Sequence, residues 1–118
     1  MLMSKLADVF KKHKVFIPFI VADDPDFETT VKNVVALAKG GADIVELGIP
    51  FSDPVADGPV IQAADLRAFA ANVRTKTVFD IVEAARKETT VPIVFLTYLN
   101  IVFKYGYEAF LKRCADLN

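Results

Sequence analysis

Cysteine, histidine and tryptophan are nearly missing from this chain of 118 residues, which has one cysteine, one histidine and no tryptophan. A single cysteine, Cys114, cannot form an intramolecular disulfide. It is predicted to be a small core residue, because no histidine is placed to activate it as a nucleophile. His13 lies in a lysine-rich amino-terminal segment and is predicted to be a solvated surface residue. That segment lacks the unbroken apolar core of a signal peptide, so a cytoplasmic location is expected.

An excess of charge of either sign is also missing. The chain has 14 lysines and arginines against 15 aspartates and glutamates, a formal net charge of −1, and its basic residues are scattered. Such a charge distribution produces no strong positive potential that could bind a polyanion, so binding to nucleic acid or to a membrane surface is not expected. No apolar run reaches the roughly 18 residues of a membrane-spanning helix. No glycine-rich phosphate motif occurs, so a nucleotide cofactor is not implied.

Apolar residues, in contrast, are plentiful at 53% of the chain, enough to form a globular core. Short, nearly continuous apolar runs predict buried strands over 16–21, 44–47 and 91–96. Helical spacing and capping signals predict the intervening helices within 1–14, between Asp24-Pro25 and Gly40-Gly41, over 61–71, from a Thr77 cap onward, and over 107–116 with Phe110 and Leu111 inward.

This order, one helix followed by three strand-then-helix units, predicts a parallel α/β fold. The amino-terminal helix, with Leu6, Val9 and Phe10 at helical spacing, is predicted to lie across an apolar surface. Three parallel strands leave two open edges and an uncovered sheet face. We therefore interpret residues 1–118 as a single partial domain.

Polar residues follow all three predicted strands. Asp23 and Asp24 follow the first, Asp53 and Asp57 follow the second, and the segment Thr97-Tyr98-Leu99-Asn100 follows the third. Because the carboxyl ends of parallel strands lie at one edge of the sheet, these three loops are expected to converge on one site.

Glu46 lies inside the second apolar run, between Val45 and Leu47. An unpaired carboxylate in such a strand costs several kcal/mol unless it is neutral, hydrogen-bonded or used in chemistry. One interpretation is a carboxyl that acts as general acid and base. The alternative is a side chain that points outward to a covering helix or pairs with one of its lysines.

Asp57 follows eleven positions later in a turn, where aspartate is also common for purely local reasons. Together, Glu46 in an apolar strand and Asp57 in a wetter loop form a pair of carboxylates in unlike environments, a pattern typical of acid–base sites. Carboxylates of Glu46, Asp53 and Asp57 binding Mg²⁺ is a second possibility. Tyr98 and Asn100 offer donors at the same edge, or serve as turn and packing residues.

The stretch 42–59, ADIVELGIPFSDPVADGP, resembles the signature of the tryptophan synthase alpha subunit family almost residue for residue. Further similarity is carried by FIPF at 16–19, LRAFA at 66–70 and YLNIVF at 98–103. The resemblance implies a (β/α)8 TIM barrel, of which this chain holds the first three β/α units and an amino-terminal helix across the barrel bottom.

The resemblance also implies a carbon–carbon lyase that cleaves indole-3-glycerol phosphate to indole and glyceraldehyde 3-phosphate without metal or organic cofactor. By residue match, Glu46 would exchange protons with the substrate, Asp57 would accept the indole N–H, and Phe19 and Tyr98 would line the indole pocket. The implied partner is a beta subunit that carries pyridoxal phosphate in an alpha2-beta2 complex, with contacts from Pro50, Phe51, Ser52, Asp53, Pro54 and Asn100.

The chain departs from the family pattern in its turns and in its length. Asp23 stands where the family has glycine after the first strand, which forces a residue with a side chain into that turn and predicts an altered pocket floor. Asn72 replaces another glycine and is a tolerable substitute at positive φ. A full barrel needs about 250 residues. An alternative is therefore an inactive unit that self-associates to cover its open edges.

Overall fold

The computed structural model describes residues 4–12 and 14–118, and within them it has one parallel sheet with the strand order β1-β2-β3. The strands are β1 (Phe19–Val21), β2 (Val45–Gly48) and β3 (Ile93–Leu96). The helices are α1 (Ser4–Val9), α2 (Phe27–Lys39), α3 (Pro59–Ala70), α4 (Thr75–Arg86), α5 (Leu99–Tyr105) and α6 (Tyr107–Asp116). The predicted parallel α/β fold is confirmed.

The two faces of the sheet differ because side chains alternate along a strand. Val45 and Leu47 of β2 are fully buried in clusters with side chains from α2 and α4. Glu46 and Gly48 therefore lie on the opposite face. Phe19 is paired with Glu46 in the parallel register, and its ring lies against Gly48. The helix layer holds the core, and the other face carries the candidate site.

The strands and helix starts differ from the predicted bounds for tertiary reasons. Phe16 is 53% exposed and outside β1, and its backbone N–H donates to Asp43 at 2.8 Å. Asp26, and not Asp24, caps α2 by accepting the Thr29 N–H at 2.8 Å. Asp24 is not available to that helix because its carboxylate binds Arg67.

The predicted Thr77 cap of α4 is also wrong. The helix begins at Thr75, with Arg74 as the preceding cap residue. Thr77 is the third residue of the helix and so lies inside its first turn. Its Oγ1 accepts the backbone N–H of Arg74 at 3.1 Å. Thr77 thus stabilises the helix start from inside the helix, in the manner of the third residue of a capping box.

Three further expectations concern surface helices. α5 was not predicted, and none of its residues is buried. Leu111 is not inward, since it is 64% exposed while Phe110 is buried. Leu6 and Phe10 in and after α1 are likewise exposed and only Val9 is half-buried, so most of the predicted apolar stripe of that helix faces solvent. The rest of the predicted helix, residues 1–3 and His13, lies outside the described residues.

The structure also bears on membrane insertion. Across residues 4–12 and 14–118, no helix combines the length and the apolar character that a membrane span requires.

Candidate active site

The carboxyl ends of the three strands and the first turns of α3 surround one cavity of about 190 Å³. The loops after β2 and β3 meet at this cavity as expected, whereas Asp23 and Asp24 after β1 are not among its lining residues. The side chains used below are Phe19 from β1, Asp57 from the loop after β2, Ile61 and Asp65 from α3, and Thr97 and Tyr98 after β3. Three of the four predicted catalytic and substrate-binding residues line the cavity, namely Phe19, Asp57 and Tyr98, and the last two are in direct contact.

Tyr98 joins the end of β3 to the loop after β2. Its hydroxyl donates to Asp57 Oδ2 at 3.2 Å and accepts the Ala56 backbone N–H at 3.1 Å. Its ring packs on Phe51 with the ring centroids 4.7 Å apart. The loop carrying Asp57 is therefore held from residue 98, while the Asp57 carboxylate stays at the cavity wall.

Phe19 and Glu46 are neighbours on the open face of the sheet. Glu46 is half-buried and is not among the residues that line the cavity, although Gly48, two positions later in the same strand, is. An ideal Cβ at Gly48 would lie 2.8 Å from Phe19 Cζ. The missing side chain at Gly48 therefore makes room for the Phe19 ring at the cavity floor. Because α2 and α4 pack with Val45 and Leu47 on the other face, Glu46 does not lie beneath either of these helices.

Asp65 is a second cavity carboxyl, and it was not among the residues predicted from the sequence. It is 5% exposed and lies on the inward face of α3 with Ala64 and Ala68. Burial raises the pKa of Asp65 and the negative charge of Asp57 raises it further, while the Phe51 backbone N–H partly offsets this. A charged residue in the buried spacing Ile61, Asp65, Ala68 of an alanine-rich helix was the available signal.

The predicted partner-contact residues are mixed in exposure. Ser52, Asp53 and Asn100 are exposed, Phe51 and Pro54 are half-buried, and Pro50 is buried. Pro50, Phe51 and Ser52 line one groove together with Ile101 and Lys104 of α5. The loop after β2 and α5 thus share one groove, and Asp53, Pro54 and Asn100 are not among the residues that line it.

The magnesium interpretation finds no support in the geometry. Within the part of the chain that the structure describes, no three histidine, cysteine, aspartate or glutamate residues are grouped so that they could hold a metal ion.

The two departures from the glycine pattern both adopt positive φ. Asp23 has φ +64° and Asn72 has φ +65°, which confirms that these turns need the left-handed region. Asp23 is 2% exposed, and its backbone N–H donates to Thr30 Oγ1 at 3.0 Å. Asp23 is not among the cavity-lining residues, so the predicted change to the pocket floor is not seen.

Comparisons with known proteins agree with this geometry. The family model described as tryptophan synthase alpha chain matches residues 6–118. A tryptophan synthase alpha chain of Lacticaseibacillus casei is 98% identical over 118 residues, which are all of this chain and 44% of that relative. This chain therefore spans less than half the length of that relative.

Solved structures show the same relation. Tryptophan synthase subunit alpha from Legionella pneumophila matches with a TM-score of 0.88 at 39% identity, covering 98% of this chain and 45% of that one. A chain of the tryptophan synthase a2b2 complex from Pyrococcus furiosus matches with a TM-score of 0.82 at 38% identity, covering 87% and 41%. The predicted fold, part of a (β/α)8 barrel, is confirmed. This chain belongs to the tryptophan synthase alpha chain family.

Proposed function

We propose that this chain supplies the acid–base half of an alpha-chain active site, which in a full-length protein cleaves indole-3-glycerol phosphate to indole and glyceraldehyde 3-phosphate. The observation that carries the proposal is the contact between Asp57 and Tyr98 at a cavity that Phe19 also lines. Asp57 lies at the cavity wall and accepts a hydrogen bond from the Tyr98 hydroxyl. Glu46 lies on the open sheet face beside Phe19. Family membership supplies the substrate class.

The reaction needs one group that both gives and takes a proton. Glu46 gives a proton to C3 of the indole ring, and positive charge develops on the ring nitrogen, whose N–H donates to Asp57. The bond between C3 and the glycerol carbon then breaks, and its electron pair returns to the ring. The hydroxyl on that carbon gives its proton to Glu46 and becomes the aldehyde carbonyl. Glu46 is thereby reprotonated, and indole is released.

The indole ring is proposed to lie between Phe19 and Tyr98. Both side chains line the cavity, and aromatic faces suit a flat apolar ring. The hydroxyl of Tyr98 is already bonded to Asp57, so the same residue packs on the ring and holds the acceptor of its N–H. This coupling accounts for an aromatic residue with a hydroxyl at position 98.

We further propose that the alpha reaction uses no metal or organic cofactor and that pyridoxal phosphate belongs to a beta-subunit partner. The contact surface would combine the loop 50–54 with Asn100 on α5. It adjoins the cavity through Phe51, whose ring packs on Tyr98. A partner bound to this loop would therefore act on Asp57 through Phe51 and Tyr98, because Phe51 packs on the Tyr98 ring and Tyr98 is hydrogen-bonded to Asp57.

The test uses a full-length host, defined as the L. casei alpha chain with these 118 residues in place of its matching ones. Indole release from indole-3-glycerol phosphate is measured with Glu46→Gln, Asp57→Asn and the exposed control Glu88→Gln. Loss of a general acid–base group costs roughly 100-fold or more. We expect Glu46→Gln to abolish turnover, Asp57→Asn to cause a severe but smaller loss, and the control to match the parent. Near-normal turnover of Glu46→Gln would refute the proposal.

A further inference from the structure

Asp65 is a buried carboxyl for which the proposed mechanism has no use. It lines the same cavity as Asp57, and only 5% of the residue is exposed. A carboxylate in this position is costly unless it gains a compensating partner. Its presence on an otherwise apolar helix face therefore calls for a physical reason.

The charges that face Asp65 do not supply a compensating cation. Asp57 faces it from the loop after β2 and Asp24 from the loop after β1, and both are acidic. Arg67, on the same helix, is bound by both Asp24 oxygens at 2.7 and 3.0 Å. The remaining neighbour is the backbone N–H of Phe51. In the described residues, Asp65 is thus held in negative surroundings.

Asp57 itself is held on one side only. Tyr98 donates to Oδ2, and Gln62 reaches the backbone carbonyl of Asp57 at 2.6 Å without contacting the carboxylate. Within residues 4–12 and 14–118, no side-chain or backbone donor is bonded to Asp57 Oδ1. One oxygen of Asp57 thus remains to accept a donor from a ligand in the cavity.

On the basis of the lyase function proposed above, we infer that Asp65 is a positioning residue that acts through Asp57. Its buried negative charge repels the Asp57 carboxylate, and a ring N–H that donates to Asp57 relieves this repulsion, so Asp57 attracts the N–H more strongly than it would alone. The attraction grows when the ring nitrogen becomes positive, because charges interact more strongly in a site with little water. Asp65 thus serves transition-state stabilisation at a cost to folding.

The inference is tested by a double-mutant cycle in the full-length host. Asp65→Asn keeps the shape and removes the charge, and it is made with Asp57 intact and with Asp57→Asn. Interacting neighbours deviate from additivity by amounts that correspond to roughly tenfold in rate. With Asp57 intact we expect kcat to fall by that factor and KM to rise by a smaller one, because the substrate N–H already donates to Asp57 before the ring nitrogen becomes positive. With Asp57→Asn we expect Asp65→Asn to change kcat by less than about twofold.

Two readouts separate this role from a structural one. A structural carboxyl would lower the thermal midpoint when it is replaced, whereas Asp65→Asn is expected to keep or raise it. Binding of indole is expected to weaken in Asp65→Asn, and binding of 1-methylindole, which has no N–H, is expected not to change. Asp65→Ser is the second uncharged variant, and the exposed Asp116→Asn controls for net charge.

The outcomes are distinct for the two proposals. Equal loss of kcat in both Asp57 backgrounds, or equal weakening of indole and 1-methylindole binding, would overturn the role of Asp65 and leave the lyase proposal standing. Full activity of Glu46→Gln would overturn the acid–base role proposed for Glu46, and the double-mutant cycle and the two binding measurements would still decide the role of Asp65.

Discussion

At the residue scale, the shape of the candidate site depends on Gly48. This position lies beneath the Phe19 ring, and the backbone there has no side chain to compete with it. The glycine lies in a strand, where it gives up packing and conformational entropy. The close approach of an aromatic ring is the physical reason for accepting that cost.

Gly48→Ala is therefore expected to displace Phe19 from the cavity floor. The added Cβ would lie 2.8 Å from Phe19 Cζ, and overpacking of this kind costs typically about 1–3 kcal/mol. We expect a lower free energy of unfolding in urea and weaker indole binding by the full-length host. Gly58→Ala is the control, because a Cβ there meets nothing within 4 Å. Unchanged indole binding in Gly48→Ala would contradict the placement of Phe19 in the indole pocket.

Asp23 carries a prediction about pH. Burial raises its pKa above the ordinary 3.8, and the charge of Asp26 raises it further. The folded state then binds more protons than the unfolded state in the window above 3.8. The contribution of Asp23 to stability therefore falls as pH rises through that window.

Asp23→Asn removes this titration and keeps a residue type that tolerates positive φ. We expect the variant to be more stable than the parent at neutral pH, with the gain shrinking in acid. Urea unfolding of parent and variant, at neutral pH and in acid, measures the difference in their free energies of unfolding. Other groups also change stability with pH. Hydrogen bonds from Lys12 and Phe16 lower the pKa of Asp43, for example, so its contribution to stability is lost in acid. Such contributions are the same in parent and variant and cancel in the difference between them. An equal gain at both pH values would refute the linkage.

At the scale of elements, Phe79 of α4 packs against aromatic side chains of β3, α5 and α6. Its ring is 1% exposed. Its centroid lies 5.6 Å from Phe95 of β3, 5.4 Å from Tyr105 of α5 and 5.1 Å from Phe110 of α6. These contacts dock α5 and α6 on the helix layer and so position the segment that begins at Tyr98.

Phe79→Ala is expected to destabilise the full-length host by about 3–5 kcal/mol, because it removes a fully buried ring and leaves a cavity. The matched control is Phe103→Ala on α5, where the ring is 70% exposed and truncation is expected to cost no more than about 0.5 kcal/mol. Denaturant unfolding measures both. Similar losses for the two variants would mean that the aromatic cluster does not hold these elements together.

At the scale of the whole molecule, the sheet is covered on one face. β1 and β3 are its two edges, and Leu96 on β3 is 49% exposed. Unpaired strand edges and exposed apolar faces favour association. The 118-residue polypeptide, expressed by itself, is therefore expected to self-associate.

Sedimentation velocity over a dilution series measures this association. Leu96→Lys places a charge on the open face and is expected to shift the polypeptide toward monomer. Leu66→Lys, at a position 71% exposed on α3, is expected to leave association unchanged. A parent that is monomeric at every concentration would contradict the prediction and the self-associating alternative.

Part of the fold can be predicted from the sequence because burial leaves a pattern along the chain. The apolar run around Val45 and Leu47 predicts β2, and the helix predicted over 107–116 corresponds to α6. The same reasoning failed for α5, since Leu99 and Phe103 are 67% and 70% exposed and leave no buried stripe. It also placed the α2 cap at Asp24, because sequence alone does not show that Asp24 binds an arginine 43 positions away.

The sequence by itself determined the parallel α/β class, the family and the identities of Glu46, Asp57, Phe19 and Tyr98 as candidates, because these rest on local patterns and on one long signature stretch. The tertiary structure alone decided which sheet face Glu46 occupies, that Tyr98 bonds to Asp57 across 41 positions, and that Asp65 lies at the same cavity. Such contacts depend on how separate β/α units pack, and packing brings together charges whose separation along the chain carries no signal.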